Sequence, residues 1–226
     1  MNFIDLFKNY SKSIVSSQIL KSPYDEIYNH IFNNKYDTIL IINQGVYIPF
    51  NSYFEKIVNE EFHITYVDEN ELSMNQLNNE LLKFKNNQSV KIDAYIETIL
   101  SSIYNIQKNR FKNIQYDFIL IHHYNSYLNN INDFYQILKS ITHKKSEILF
   151  FASICNEPNQ LLYKNNIRSK LSTMTNLNLG TLSSLEEVIL SVPQQDFKIK
   201  HVIPYRESHY IGYGKNMIYK FILSKE

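Results

Sequence analysis

The sequence predicts a three-layer α/β domain, in which helices cover both faces of a mostly parallel, seven-stranded sheet with an antiparallel last strand. Two observations support this fold class. Apolar runs of strand length alternate with amphipathic segments of helix length, which is the order of parallel βαβ units with right-handed crossovers. The last two strands follow each other without a long helix between them, so they must pair antiparallel or lie in different places.

Seven segments have the composition of strands. Continuous apolar runs such as YDFILI, residues 116–121, are typical of central strands that are covered on both faces. The third segment gives the weakest signal, because it is short and ends directly at Asp93. The predicted strands are Tyr36–Ile42, Phe62–Val67, Val90–Ile92, Tyr116–Ile121, Glu147–Ala152, Phe197–Ile203 and Asn216–Leu223.

Amphipathic segments between these strands predict helices. Ser73 is expected to cap the helix after the second strand. Glu186 and Glu187 stand early in the last helix, where acidic side chains suit the helix dipole. The predicted helices are Phe50–Asn59, Ser73–Phe84, Glu97–Phe111, Asn132–Ile141 and Ser183–Leu190.

Length, charge and cysteine content limit the class of protein. With 226 residues, 44% of them hydrophobic, the chain can form one substantial core, so a single domain is predicted, with residues 1–33 as an N-terminal helical lid and residues 36–223 as the core. The net charge of +1 argues against a nucleic-acid surface built by bulk charge. Cys155 is the only cysteine, so no intrachain disulfide can form. The first residues do not resemble a signal peptide, and no stretch approaches the roughly 18 apolar residues that span a membrane, which predicts a cytoplasmic protein.

Polar residues follow each of the first five predicted strands. In open α/β sheets, ligands bind beyond the carboxyl ends of the strands, near the switch in strand order. The candidates in chain order are Asn43, Gly45 and Tyr47 after the first strand, Asp68 after the second, Asp93 and Ala94 after the third, His122, His123 and Tyr124 after the fourth, and Cys155 and Glu157 after the fifth.

In this order and spacing, residues 36–223 resemble the class I S-adenosylmethionine-dependent methyltransferases, which have a Rossmann-like fold. The segment YVDENELSMNQLNNEL resembles the acidic ribose-binding segment of that family, in which the carboxylate, here Asp68, accepts hydrogen bonds from both ribose hydroxyls. Asp93 and Ala94 resemble the pair that faces adenine. The stretch YDFILIHHYNSYLNNINDFYQILKSITHKKSEILFFAS is similar to the fourth strand, following helix and fifth strand of the family. The resemblance implies S-adenosylmethionine as cofactor and S-adenosylhomocysteine as product.

The first loop departs from the family's pattern. Members of the family have an acid in the first strand, followed by three glycines spaced G-x-G-x-G that let the backbone approach the methionine part of the cofactor. The corresponding residues here are Ile41, Asn43, Gly45 and Tyr47, so one glycine remains and the acid is absent. The resemblance implies cofactor contacts by Asn43, Gly45 and Tyr47. Asn adopts a positive φ at modest cost, whereas the ring of Tyr47 is expected to crowd the site or to stack over part of a ligand.

His122 and His123 stand where the family often has substrate-facing or catalytic groups. The unperturbed pKa of an imidazole lies near operating pH, so one of the two is the expected general base. The alternative is that a strand-end histidine points into the core. The seven histidines and the single cysteine show no ligand spacing, so no metal site is predicted.

Substrate contacts are expected from three parts of the chain. Tyr124 follows the fourth strand, Arg168 lies in the polar segment 156–180, and Tyr10 and Tyr24 belong to the N-terminal segment. The segment 156–180 fits either a substrate-covering insertion or a solvated loop, and the tyrosines fit packing roles as well.

Two classes of function fit these features. The leading hypothesis is a methyltransferase that passes a methyl group in line to an oxygen or nitrogen of a small molecule. The second is a catalytically inactive, methyltransferase-like subunit that supports a partner protein, as in the small subunit of poxvirus-type capping methyltransferases. The eroded glycine loop favours this reading, and the retained Asp68 and Asp93 count against it. An RNA methyltransferase is a third option, which the near-neutral charge disfavours. The expected partner is a small-molecule substrate, with a protein partner or homodimer as a further option and no membrane.

Overall fold

A computed structural model of the chain describes residues 30, 34, 36–43, 63–85, 95–104, 114–155, 157–175, 181–209 and 215–225. The chain divides into two compact units according to its internal contacts, Met1–Tyr36 and Asp37–Glu226. The strands of the second unit are β1 Thr38–Ile42, β2 His63–Asp68, β3 Tyr95–Leu100, β4 Tyr116–Ile121, β5 Thr142–Cys155, β6 Phe197–His209 and β7 Lys215–Lys225.

These strands form one seven-stranded sheet in the order β3-β2-β1-β4-β5-β7-β6. Strands β1 to β5 pair in parallel, whereas β7 pairs antiparallel with both β5 and β6. The mostly parallel, seven-stranded sheet with an antiparallel last strand is therefore confirmed.

Within the described residues, four α-helices accompany the sheet: α1 Glu71–Lys85, α2 Ile131–Ser140, α3 Leu161–Thr175 and α4 Leu185–Ser191. The chain moves outward from β1 through β2 to β3 in one direction, and from β4 to β5 in the other. Right-handed crossovers then put α1 and α2 on opposite faces of the sheet, and the switch in strand order lies between β1 and β4.

The central strands are apolar because both of their faces are covered. Residues 118–121 of β4 have no exposed surface, and they pair in register with residues 39–42 of β1. An aromatic stack continues this core toward β7, where the ring of Phe150 lies 4.0 Å from that of Tyr124 and 4.6 Å from that of Phe221. These contacts hold the carboxyl end of β4 against the antiparallel part of the sheet.

The third strand differs from its prediction. It is Tyr95–Leu100, paired in register with His63–Asp68, whereas the predicted segment Val90–Ile92 lies outside the described residues. The predicted helix Glu97–Phe111 is wrong at its start, because Glu97 to Leu100 belong to β3. The apolar residues of this region fit helical spacing, but they also include β-branched side chains that suit an edge strand, and pairing with β2 decides the outcome.

Helix α1 begins two residues before the predicted start. Asn70 caps it, since the Asn70 side-chain oxygen accepts a hydrogen bond from the Ser73 backbone N–H at 3.0 Å. Ser73, the predicted cap, is a buried residue of the first turn. Helix α4 has the expected acidic first turn, and Ser184 and Glu187 form a capping box there. The predicted helix Phe50–Asn59 lies outside the described residues.

A carboxylate at the amino edge of the sheet joins three strands. One oxygen of Asp117 accepts hydrogen bonds from the backbone N–H of Asp37 and from the N–H and hydroxyl of Thr38, at 2.9–3.1 Å. The other oxygen pairs with His143 Nε2 at 2.8 Å. Burial opposes ionisation of this acid, but the hydrogen bonds from Thr38, His143 and Asp37 outweigh it and lower the pKa of Asp117.

Replacing Asp117 with Ala should therefore destabilise the protein by about 1.5–3 kcal/mol, the range for hydrogen bonds to a charged group. Urea unfolding at neutral pH measures this loss. Glu69→Ala removes an exposed carboxylate elsewhere and is the matched control, expected to change the free energy of unfolding by about 0.5 kcal/mol or less. Equal stabilities of the two variants would contradict the assignment.

Candidate active site

The candidate site lies at the carboxyl edge of the sheet, around the ends of the neighbouring strands β1 and β4. Asn43 directly follows β1, Asp68 is the last residue of β2, and His122 directly follows β4. Backbone hydrogen bonds tie these ends together, from Asn43 N to Val67 O at 2.9 Å and from His122 N to Ile42 O at 3.1 Å. Because the carboxyl ends of parallel strands meet at one edge, polar side chains far apart in sequence are brought together there.

The carboxylate of Asp68 is fully buried and held in one orientation. Its Oδ2 accepts a hydrogen bond from Asn43 Nδ2 at 2.9 Å, and its Oδ1 accepts one from the Asn70 backbone N–H at 2.9 Å. The Asn43 amide also donates to the hydroxyl of Tyr66 at 2.8 Å. Hydrogen bonds to both oxygens fix the direction in which this carboxylate points.

His123 lies between a negative and a positive charge. Burial and the positive charge of Arg168 lower the pKa of His123 to about 4, against the opposing effect of the Asp68 carboxylate. Both charged side chains are therefore close enough to act on the imidazole. At neutral pH the ring of His123 is uncharged, so it is a weaker base than the unperturbed histidine that the sequence suggested.

His122 has different surroundings from its neighbour. Its ring stacks on Phe151, with ring centroids 6.0 Å apart and planes inclined by 15°. Burial, assisted by the charge that His123 would carry, lowers the pKa of His122 to about 3. This packing on Phe151 of β5 favours a structural role for His122. His123 is then the candidate for a role in the reaction.

The two lowered pKa values predict that acid destabilises the fold. Between about pH 4 and 6.5 the unfolded chain binds protons on these histidines and the native state does not, so stability falls as pH falls through that window and is constant above it. From pH 7 to pH 5 we expect a loss of up to about 2 kcal/mol per histidine. Urea unfolding at both pH values measures it.

Single replacements of His122 or His123 by Gln should each remove about half of that pH dependence. His201 is exposed, so His201→Gln is the matched control and should leave the dependence intact. An undiminished pH dependence in both of the first two variants would refute the assignment.

Helix α3 brings two cationic side chains to the same edge. Lys164 and Arg168 lie one turn apart and are 2% and 7% exposed. Lys164 pairs with Glu157 at 2.8 Å. The segment 156–180 is therefore no mere solvated loop, because residues 161–175 of it form a helix with a buried basic face.

Tyr124 is not placed to contact a substrate. It is completely buried in the hydrophobic core, and its hydroxyl is bonded to Tyr135 Oη at 2.8 Å and to Ser191 Oγ at 2.5 Å. Burial raises the pKa of Tyr124 to about 12, against the hydrogen bonds with Ser191 and Tyr135. The strand-end position misled the prediction, since alternate residues beyond a strand face the core.

The remaining predicted site residues lie outside the described part of the chain: Tyr10, Tyr24, Gly45, Tyr47, Asp93 and Ala94. The adenine role given to Asp93 and Ala94 assumed that a strand ends there. Strand β3 instead begins just after them at Tyr95, and the residues that follow its carboxyl end are Ser101 and Ser102. The adenine role of Asp93 and Ala94 stays a prediction.

Sequence reasoning missed the residues that fix α3 at the edge. The Asn165 side chain both donates to Leu182 O at 3.0 Å and accepts from Leu182 N at 2.7 Å. The next residue, Ser183, bridges to Ile154 of β5. The recurrence of Leu161, Lys164, Arg168 and Leu171 at intervals of three and four residues was the available signal for this helix.

Comparison with known proteins identifies the fold. No protein-family model and no curated protein sequence matches the chain. Among solved structures, a SAM-dependent methyltransferase from Methanosarcina mazei has 12% identity and a TM-score of 0.58, covering 86% of this chain and 96% of that one. A SAM-dependent methyltransferase from Clostridium acetobutylicum has 11% identity and a TM-score of 0.57, covering 99% of each chain. Geranyl diphosphate methyltransferase, solved in complex with SAM, has 9% identity and a TM-score of 0.58, covering 84% of this chain and 78% of that one.

The chain has the class I methyltransferase fold. The expected resemblance is thereby confirmed at the level of the fold, and Asp68 and His123 occupy the carboxyl edge of a methyltransferase-type sheet. Within the described ranges, no group of three His, Cys, Asp or Glu side chains is arranged to hold a metal ion. None of the described helices is both long and apolar enough to cross a membrane.

Proposed function

We propose that this protein is an S-adenosylmethionine-dependent methyltransferase that acts on an oxygen or nitrogen of a small molecule. The observation that carries the proposal is the placement of a buried, oriented carboxylate, Asp68, and a neutral imidazole, His123, at the carboxyl edge near the switch in strand order. The fold supports it, since solved neighbours include SAM-dependent methyltransferases, one of them named for the small molecule geranyl diphosphate.

The described residues fit the cofactor at its ribose end. Asp68 is the last residue of β2, and a carboxylate at that place is the kind of acceptor that two ribose hydroxyls would need. Asn43 orients this carboxylate through its amide and would also line the first loop, which has no glycine at that position. When bound, S-adenosylmethionine supplies an electrophilic methyl group.

His123 would orient the methyl acceptor and take its proton. A neutral imidazole accepts a hydrogen bond from an acceptor hydroxyl or amine, and it holds the nucleophilic lone pair in one direction. The low pKa of His123 limits its strength as a base, so positioning contributes more than proton removal. The positive charge of Arg168 lowers the pKa of His123 and the negative charge of Asp68 raises it. The site is therefore polar while the ring of His123 stays neutral.

Calorimetry of the full chain with S-adenosylmethionine and S-adenosylhomocysteine tests the proposal. We expect saturable binding of both, and formation of S-adenosylhomocysteine when a panel of small phenols, amines and carboxylic acids is added. Binding without turnover on any acceptor would leave cofactor recognition standing and remove the enzymatic part. Absence of binding would remove the proposal.

A second function, a non-catalytic subunit that supports a partner protein, is favoured by one observation. Asp68 has no exposed surface, and one of its oxygens is occupied by the Asn43 amide at the position where the family has its first glycine. A site filled by its own side chains would bind no cofactor. Under this hypothesis calorimetry shows no binding, and the protein stimulates an enzyme with which it copurifies.

A further inference from the structure

We propose that the amino edge of the sheet is a docking surface for an acidic, extended segment of a partner polypeptide. This surface, which we name the lysine edge, lies at the end of the sheet opposite the candidate active site, so a bound partner would leave that site open. The members of the lysine edge are Lys139, Lys144, Lys145, Lys198, Lys200 and Lys225.

The topology brings these lysines together from three distant parts of the chain. Strands β5 and β6 both pair antiparallel with β7, so their first residues, Thr142 and Phe197, lie at the edge where β7 ends at Lys225. The Lys225 Nζ donates hydrogen bonds to the backbone oxygen of Lys139, at 2.9 Å, and to that of Thr142. The end of helix α2 and the starts of β5 and β6 therefore meet at one place.

A hydrogen-bonded bulge presents Lys144 and Lys145 at the start of β5. In the pairing of β5 with β4, residues 143–146 stand opposite a single residue. The His143 N–H donates to Ser146 Oγ at 2.7 Å, and the Lys145 N–H donates to His143 Nδ1 at 3.1 Å. Bulges at sheet edges redirect side chains in this way. Both lysines are exposed, and neither has an ion pair within the part of the chain that the structure describes.

Positive charge accumulates at the lysine edge beyond what nearby acids compensate. Lys139 pairs with Asp196 at 2.6 Å. Burial, and after it the positive charge of Lys139, nevertheless lower the pKa of Lys225, against the opposing effect of Asp196. Lys198 is exposed and forms no ion pair with a described residue. An anionic partner would relieve the repulsion among these lysines.

Protection of the sheet edge does not account for the whole surface. Lysines on an exposed edge strand prevent its pairing with another copy of the chain, and Lys198 and Lys200 of β6 fit that role. Lys139 belongs to α2, however, and Lys144 and Lys145 belong to β5, which β7 separates from the edge strand. Their accumulation beside β6 therefore favours attraction of an anion.

The outer edge of β6 favours a polypeptide over a nucleic acid. Strand β6 is the last strand of the described sheet, so the outward N–H and C=O groups of residues 197–203 face no other described strand and can pair with an added one. Single-stranded nucleic acids stack on exposed aromatic rings, whereas Phe197 of this stretch is fully buried. Asp196 and Glu147 would also repel a continuous phosphate backbone, while a polypeptide can have neutral residues beside them.

The test uses a fluorescein-labelled octapeptide of alternating Glu and Val as the probe. Fluorescence anisotropy with the full chain at low salt should show saturable binding, which is lost in about 0.5 M sodium chloride. Lys145→Glu and Lys198→Glu should each weaken binding by about three- to tenfold. Lys170→Glu makes the same charge change at an exposed lysine of α3, so it is the matched control and should bind the probe as the native protein does.

A second octapeptide, in which Pro replaces each Val, tests the pairing with β6. It has the same charge but fewer backbone N–H donors, so it should bind at least about threefold more weakly. Absence of binding by the Glu-Val peptide, equal affinity for the two peptides, or equal effects of Lys145→Glu and Lys170→Glu would overturn the inference. Tighter binding of an oligouridylate of the same net charge would overturn it as well, because the surface would then prefer a nucleic acid.

Discussion

Replacing His123 with Asn should lower the rate of methyl transfer by about 10²-fold, the lower part of the range for a positioned acid or base. A loss at the lower end of this range is expected because a group whose pKa lies near 4 is a weak general base at neutral pH. Most of the loss then reflects misplacement of the acceptor, to which in-line transfer is sensitive. The rate is measured as S-adenosylhomocysteine formation with the best acceptor from the panel.

The matched control for this variant is His122→Asn. His122 stacks on Phe151, so its replacement should lower stability while each folded molecule keeps nearly its native rate. If the protein transfers methyl groups as proposed, its rate should not fall between pH 8 and 5.5 through histidine protonation, because both rings stay neutral there. A tenfold larger effect at His122 than at His123, or a rate that halves near pH 6.5, would refute the assignment of His123.

The central part of the fold could be predicted from the sequence because burial on two faces demands an unbroken apolar run. Tyr116–Ile121 is such a run, and the structure has a strand with those bounds. The hairpin of β6 and β7 was predictable for a different reason, since no helix-length segment separates the two runs. Edge strands could be predicted less well, as the misplaced third strand shows. The pattern of half-exposed residues fits both helical and strand spacing.

Prediction of the site was less complete than prediction of the sheet. The position of Asp68 at the carboxyl edge could be predicted because it follows directly from a strand end. Tyr124 was assigned wrongly, since the sequence does not say which of three consecutive residues after β4 turns inward. The burial of Arg168 could not be predicted, because it depends on hydrogen bonds between the Asn165 side chain and the backbone of Leu182, 17 residues further along the chain. The lowered pKa values of the histidines likewise come from packing that only the folded chain has.

The remaining large effect is expected at Asp68. Replacing it with Asn should weaken S-adenosylhomocysteine binding by about 1.5–3 kcal/mol, or roughly 10- to 150-fold, because a charged acceptor of ribose hydroxyls is lost. Calorimetry measures the change directly. Glu69→Gln is the matched control, since the adjacent carboxylate is exposed and should leave the affinity unchanged.

The variant Asn43→Gly separates an enzyme from an inactive relative. It restores the family's glycine and releases the Asp68 oxygen that the Asn43 amide now occupies at 2.9 Å. If Asn43 merely orients a working carboxylate, its loss should weaken S-adenosylhomocysteine binding, and the double variant with Asp68→Asn should show less than the sum of the two effects, since they share one hydrogen bond. If Asn43 instead blocks the ribose position, Asn43→Gly should bind S-adenosylhomocysteine where the native protein does not. Binding by the native protein that neither Asp68→Asn nor Asn43→Gly alters would show that the cofactor lies elsewhere, and the carboxylate at the end of β2 would then be a structural group.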